Sequence, residues 1–234
     1  MDELPDTLQR LAAAALAEMQ MDPRHRLPPA RRQAVYAALA ATPGLSAAPH
    51  WLAVLAAERV LPLFRARCPD DEQPPALLAA AIGVLEGRLD PDTAAELEAQ
   101  GYQASKNAWG YDVGELPWPV GLAADAALRA LREARGYRPL ANLAAFLAQD
   151  TVMLLPAKAG VPARSVAAPG PAALNDETLC QMEDSDTASI AAVAAASSDF
   201  GPNCDPERLR AFWTWWLQEA LPAAVAAARR GSLA

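Results

Sequence analysis

The sequence predicts an all-α fold, a multi-helical domain built from antiparallel helix pairs, on three observations. Alanine, the strongest helix former, supplies 57 of the 234 residues. Apolar residues recur at spacings of three and four in run after run, and proline, glycine and aspartate punctuate those runs. No stretch shows the clean alternation with β-branched residues that marks a strand.

Taken in order, Leu8, Leu11, Ala12, Ala15, Leu16 and Met19 make the first apolar stripe, with Asp6 as its expected cap. Pro28 and Pro29 open a second helix with Val35, Tyr36 and Leu39 on its face, and Thr42-Pro43-Gly44 stops it. The third is expected over residues 48–67, through Trp51, Leu52, Leu55, Val60, Leu63 and Phe64, with Pro62 kinking or splitting it. Pro74 and Pro75 open a fourth, through Leu78, Ile82 and Leu85. Asp90-Pro91-Asp92 starts a fifth, which Gly101 should end.

Residues 101–119, with Tyr102, Trp109, Tyr111 and Trp118, read as an aromatic connector. A strongly periodic helix follows over 120–135, stopped by Gly136, and Pro139 opens another over 140–149. Residues 154–178, rich in proline and glycine and without a period, are expected to form a flexible loop. The next helix, 183–197, starts with Glu183, Asp184 and Asp186, acids that suit a helix N-terminus. Gly201-Pro202-Asn203 breaks it. Asp205-Pro206-Glu207 combines a cap, a proline in the first turn and an acid, and starts a last helix to about Arg230, bent near Pro222. Residues 1–234 are expected to form one domain.

Composition narrows the function. Much of the apolar content is alanine, which buries little area, so large core side chains are sparse and each counts for more. The net charge of −8 repels phosphate backbones, which argues against nucleic-acid binding and suits a basic partner. Three cysteines, an odd number at no framework spacing, point to reduced thiols. The start, Met-Asp-Glu-Leu, lacks the basic stretch of a secretory signal, and the apolar runs 11–17 and 190–196 are too short to span a bilayer. A cytoplasmic protein without membrane contact is the expectation.

Catalytic motifs are absent. There is no phosphate-binding GxxxxGK[ST], no GxGxxG and no GxSxG elbow. His25 and His50 are the only histidines, too few for a three-histidine zinc site. The acids Glu183, Asp184 and Asp186 match no calcium loop; they read as capping and solvation, or as an acidic patch for a basic partner. No catalytic residue, cofactor or metal is expected.

The strongest local anomaly is the tryptophan helix: Phe212, Trp213, Trp215 and Trp216 fall within five consecutive residues. At 3.6 residues per turn, Leu209, Phe212, Trp213, Trp216 and Leu217 share one buried arc. Trp215 falls at its edge, between Arg208 and Glu219 on one side and Ala211 on the other. A half-exposed tryptophan flanked by arginine and glutamate has the composition of a binding hot spot. Trp215, Arg208 and Glu219, with Asp184 and Asp186 as a negative rim, are therefore the expected partner-binding residues.

Phe212-Trp-Thr-Trp-Trp-Leu-Gln-Glu-Ala-Leu-Pro222 resembles the FW-x-WWL-x-x-A-[IL]-P ending of bacterial polymorphic-toxin immunity proteins, family five of that series. The upstream string Glu183-Asp-Ser-Asp-Thr-Ala-Ser-Ile-Ala191 is similar to the segment those proteins carry before it, and Arg32-Gln-Ala-Val-Tyr36 is similar to their N-terminal region. The loop at 154–178 departs from the family pattern. The resemblance implies a cytoplasmic protein that binds and neutralises a cognate protein toxin without catalysis. The residues themselves also leave open a helical scaffold or adaptor, and a hydrolase using the Asp184 and Asp186 carboxylates.

Overall fold

The computed structural model describes residues 4–107, 116–137, 186–198 and 201–231. They form helices α1 (Asp6–Met21), α2 (Pro29–Ala41), α3 (Ala48–Arg67), α4 (Gln73–Leu85), α5 (Pro91–Asn107), α6 (Trp118–Ala134) and α7 (Thr187–Ala196). Two short strands follow, β1 (Ser197–Ser198) and β2 (Gly201–Cys204), then α8 (Pro206–Trp215), a π-helical turn (Trp216–Ala220) and α9 (Leu221–Gly231). The fold is all-α, as the sequence predicts. The strands make only an antiparallel two-stranded ribbon, pairing Ser197 with Cys204 and Ser198 with Gly201.

Helices α6 and α7 sit at the centre. α6 packs against α3, α4, α5 and α7, while α7 packs against α3, α6 and α8. Every residue of α7 except Ala195 is buried. A helix apolar on all sides has to be interior, and its alanines let three neighbours approach closely enough for dense van der Waals contact. Outside this centre, α1 packs on α2, and α9 packs on α3.

Several boundaries follow from local chemistry. Asp205 caps α8 with Pro206 at the first turn, as expected. Gly44 and Gly136 take positive φ, 76° and 98°, just beyond α2 and α6, where a side chain would be strained. Other expectations need correction. Asp6 is the first residue of α1 rather than its cap, which is Pro5 without a side-chain bond. α3 runs unbroken through Pro62. α7 starts at Thr187, with Asp186 as its cap.

Gly101 does not end α5. The helix continues to Asn107, so the first seven residues of the expected aromatic connector are helical, and Trp118 already opens α6. Tertiary packing explains the glycine. A Cβ at 101 would stand 2.7 Å from Leu77 Cδ1 and 3.1 Å from Leu128 Cδ1, so only glycine lets α5 lie this close to α4 and α6. The expected helix at 140–149 and the loop at 154–178 lie outside the described residues.

The expected bend near Pro222 takes the form of the π turn. Proline has no N–H to give to the carbonyl four residues back, and its ring crowds that carbonyl. Over Trp216–Ala220 the turn widens, and the Leu221 N–H donates to the Trp216 carbonyl, five residues back.

Candidate functional site

The tryptophan helix begins at a well-made cap. The Asp205 carboxylate accepts from the backbone N–H of Glu207 at 2.8 Å and of Arg208 at 3.3 Å. From there Leu209, Phe212 and Trp213 turn inward, followed by Trp216 and Leu217. Trp213 and Trp216 are completely buried, as expected. Their rings meet edge to face at 5.9 Å, and Phe212 meets Trp213 at 5.2 Å in the same manner. Tyr36 of α2 closes the chain of rings, edge-on to Trp216 at 5.9 Å. Edge-to-face contacts place the positive ring edge on the negative ring face, which adds to the gain from burial.

Beneath these rings lies a buried ionic cluster. Arg32 of α2 and Asp186 at the start of α7 are both fully buried. Arg32 Nε donates to Asp186 Oδ2 at 2.9 Å, and Arg32 Nη1 donates to the Leu27 carbonyl at 2.7 Å. The guanidinium also sits 5.2 Å from the Trp213 ring centroid, a cation–π contact out of water. Asp186 Oδ1 accepts from the Ser189 N–H at 2.7 Å and so caps α7. Glu133, near the end of α6, accepts at one oxygen from both the Thr187 N–H, at 2.8 Å, and the Thr187 hydroxyl, at 2.6 Å.

Burial, more than any neighbour, sets the protonation of this cluster. It pushes the Glu133 carboxyl up to about 7; the Asp186 carboxylate adds to the rise, and the Thr187 hydrogen bonds and Arg129 oppose it. Tyr36, packed edge-on against Trp216, has its hydroxyl pushed well above its usual value by burial and then by the nearby Asp186 and Glu133 carboxylates.

Three strings far apart in the sequence therefore converge: Arg32 to Tyr36, Asp186 to Ser189, and Phe212 to Trp216. Arg32 and Asp186 are separated by 154 positions. The sequence reading missed Arg32 and Glu133, although it held a signal for Arg32. Arg32, Val35, Tyr36 and Leu39 stand at helical spacing, so a charge falls on the buried face of α2 and needs a buried partner.

The expected partner-binding residues divide. Trp215 is half-buried, at the edge of the core. Its ring packs on Phe212 at 5.5 Å, and the Arg59 guanidinium of α3 lies over it at 5.1 Å. Arg208 and Glu219 are exposed, and Arg208 Nε stands 4.0 Å from Asp205 Oδ2. Asp186 is corrected: with no exposed surface and its carboxylate engaged by Arg32 and the Ser189 N–H, it cannot form a negative rim. Asp184 lies outside the described residues. Among the described residues no cluster of histidine, cysteine and acid is arranged to hold a metal, and no helix is long and apolar enough to cross a membrane.

Residues 133–223 match the family model of immunity protein Imm5. The family resemblance carried by the tryptophan string is thus borne out over that segment. The match takes in Glu133, Asp186, Thr187, the three clustered tryptophans and the π turn; Arg32 and Tyr36 lie before it. No curated protein matches the chain.

Proposed function

With a segment that matches an immunity-protein family as the premise, we propose that this protein binds and neutralises a cognate protein toxin by occupying its surface, in the cytoplasm and without catalysis. Trp215 carries the contact, with Arg208 and Glu219 beside it. Asp184 joins them on sequence grounds alone.

One observation carries the placement. Within the matched segment, Trp215 is the tryptophan of its cluster that the core leaves partly open. Its indole is already held by Phe212 and Arg59, so little side-chain freedom is lost when a partner covers it. The buried cluster beneath fixes the helix that presents it. Its ionisable groups are committed to one another and to the α7 terminus, which favours a binding role over a hydrolytic one.

The test is co-expression with the toxin encoded beside this protein. Wild type should restore growth. Trp215→Ala, at equal expression and with an unchanged circular dichroism spectrum, should protect poorly and bind the toxin more weakly by about 2 kcal/mol or more. Full protection by that variant would move the site elsewhere. Absence of any neighbouring toxin would favour the scaffold or adaptor reading.

A further inference from the structure

Beside Trp215, the outer face of α3 leads into an open groove between α3 and α4, about 340 Å³ in volume. Its walls are Leu61 and Pro62 from α3 and Pro75, Leu78 and Ile82 from α4. Two charges stand along it, Glu58 and Arg65, both on α3, exposed, and seven residues apart. That spacing is two helical turns, roughly 10 Å along the axis. Neither has an ion pair or side-chain hydrogen bond among the described residues.

We infer that this groove is the second half of the toxin-binding surface and receives an amphipathic helix of the toxin, with apolar side chains in the groove, a lysine or arginine against Glu58 and an acid against Arg65. The inference rests on the proposed immunity function and says which surface and what partner chemistry serve it.

Three observations support that occupant. The first is continuity: Glu58 lines the groove while its chain neighbour Arg59 lies over Trp215, so a partner seated on the indole reaches the groove by crossing α3. The second is charge complementarity. Glu58 is exposed at the groove rim, yet the apolar wall beside it desolvates its carboxyl enough to raise it above its usual range, and it has no ion pair among the described residues, so a partner can bring the positive charge it lacks. Arg65, two turns on, is open to an acid. The third is shape. A trough between two packed helices, apolar at the base and charged at the rim, suits a helix laid along it through side chains one and two turns apart.

The experiment measures binding of the purified toxin domain encoded beside this protein to the full-length chain and its variants. Ala79 is exposed on the α4 side, and Ala79→Arg fills the groove without touching the core. Ala79→Arg and Glu58→Arg should each weaken binding at least tenfold while keeping the wild-type melting temperature and helical spectrum. Gln20→Arg, an added charge at an exposed position of α1, should bind within twofold of wild type. If Ala79→Arg and Glu58→Arg bind like wild type while Trp215→Ala does not, the groove assignment is overturned and the immunity reading stands. If wild type itself neither binds nor protects, the immunity reading falls and this inference falls with it.

Discussion

Arg32 shows how much can hang on one side chain. It is a fully buried cation whose Nε and Nη1 are spent on Asp186 and the Leu27 carbonyl, with the face of Trp213 against its guanidinium. A buried ion pair often gains little over an apolar pair of the same volume, yet removing one member strands the other charge. Arg32→Ala is therefore expected to cost about 3–5 kcal/mol, whereas Arg32→Met with Asp186→Asn should recover part of that loss. Chemical denaturation of wild type and these two variants measures it; equal loss in the single and double variants would contradict the pairing. Glu133 gives a second expectation at this scale. Its carboxyl titrates near 7 when folded, against 4.5 for an unperturbed group, so the folded state holds the proton more tightly. Stability from this group is fully present below the unfolded value and is lost as pH rises through about 7. The facing groups are Asp186, Arg129 and Thr187. Glu133→Gln keeps an acceptor for Thr187 and removes the titration. Its stability relative to wild type should rise between pH 5 and pH 8, and a pH-independent difference would contradict the shift.

At the scale of elements, close approach outweighs propensity. By intrinsic preference, Gly101→Ala in α5 should stabilise by up to about 1 kcal/mol. The Cβ would instead meet Leu77 and Leu128, so the expected outcome is a loss of about 1–3 kcal/mol. A raised melting temperature would show that the two leucines yield freely. Trp213→Ala and Trp216→Ala should each cost about 3–5 kcal/mol, read by denaturant unfolding, because both indoles are fully enclosed. The same contrast explains what was legible in the sequence. Asp205-Pro206, Gly44 and Gly136 act through neighbouring residues, so the boundaries of α8, α2 and α6 could be read locally. The persistence of α5 through Gly101 depends on side chains from two other helices, and local spacing carries no trace of them. The π turn lies between: Pro222 signalled a disturbance, but the widened turn depends on how the backbone re-pairs its carbonyls.

Across the whole molecule, α2, α6, α7 and the tryptophan helix are joined by one buried cluster, and the partner surface we propose is what that cluster leaves outside. The helical wheel placed Trp215 at the edge of the core correctly, because α8 is a regular helix up to that residue. It could not separate Asp186 from a surface acid, since its buried partner lies 154 positions away, and it gave no sign of Arg59 or of the groove between α3 and α4. The central claim is that this surface holds a toxin through Trp215. Its most direct test is calorimetric titration of the co-encoded toxin domain into wild type and Trp215→Ala, with thermal unfolding of both proteins alongside. The account predicts binding by wild type, a loss of about 2 kcal/mol or more in the variant, and closely similar unfolding curves. Equal affinity of the two proteins for the toxin would contradict it.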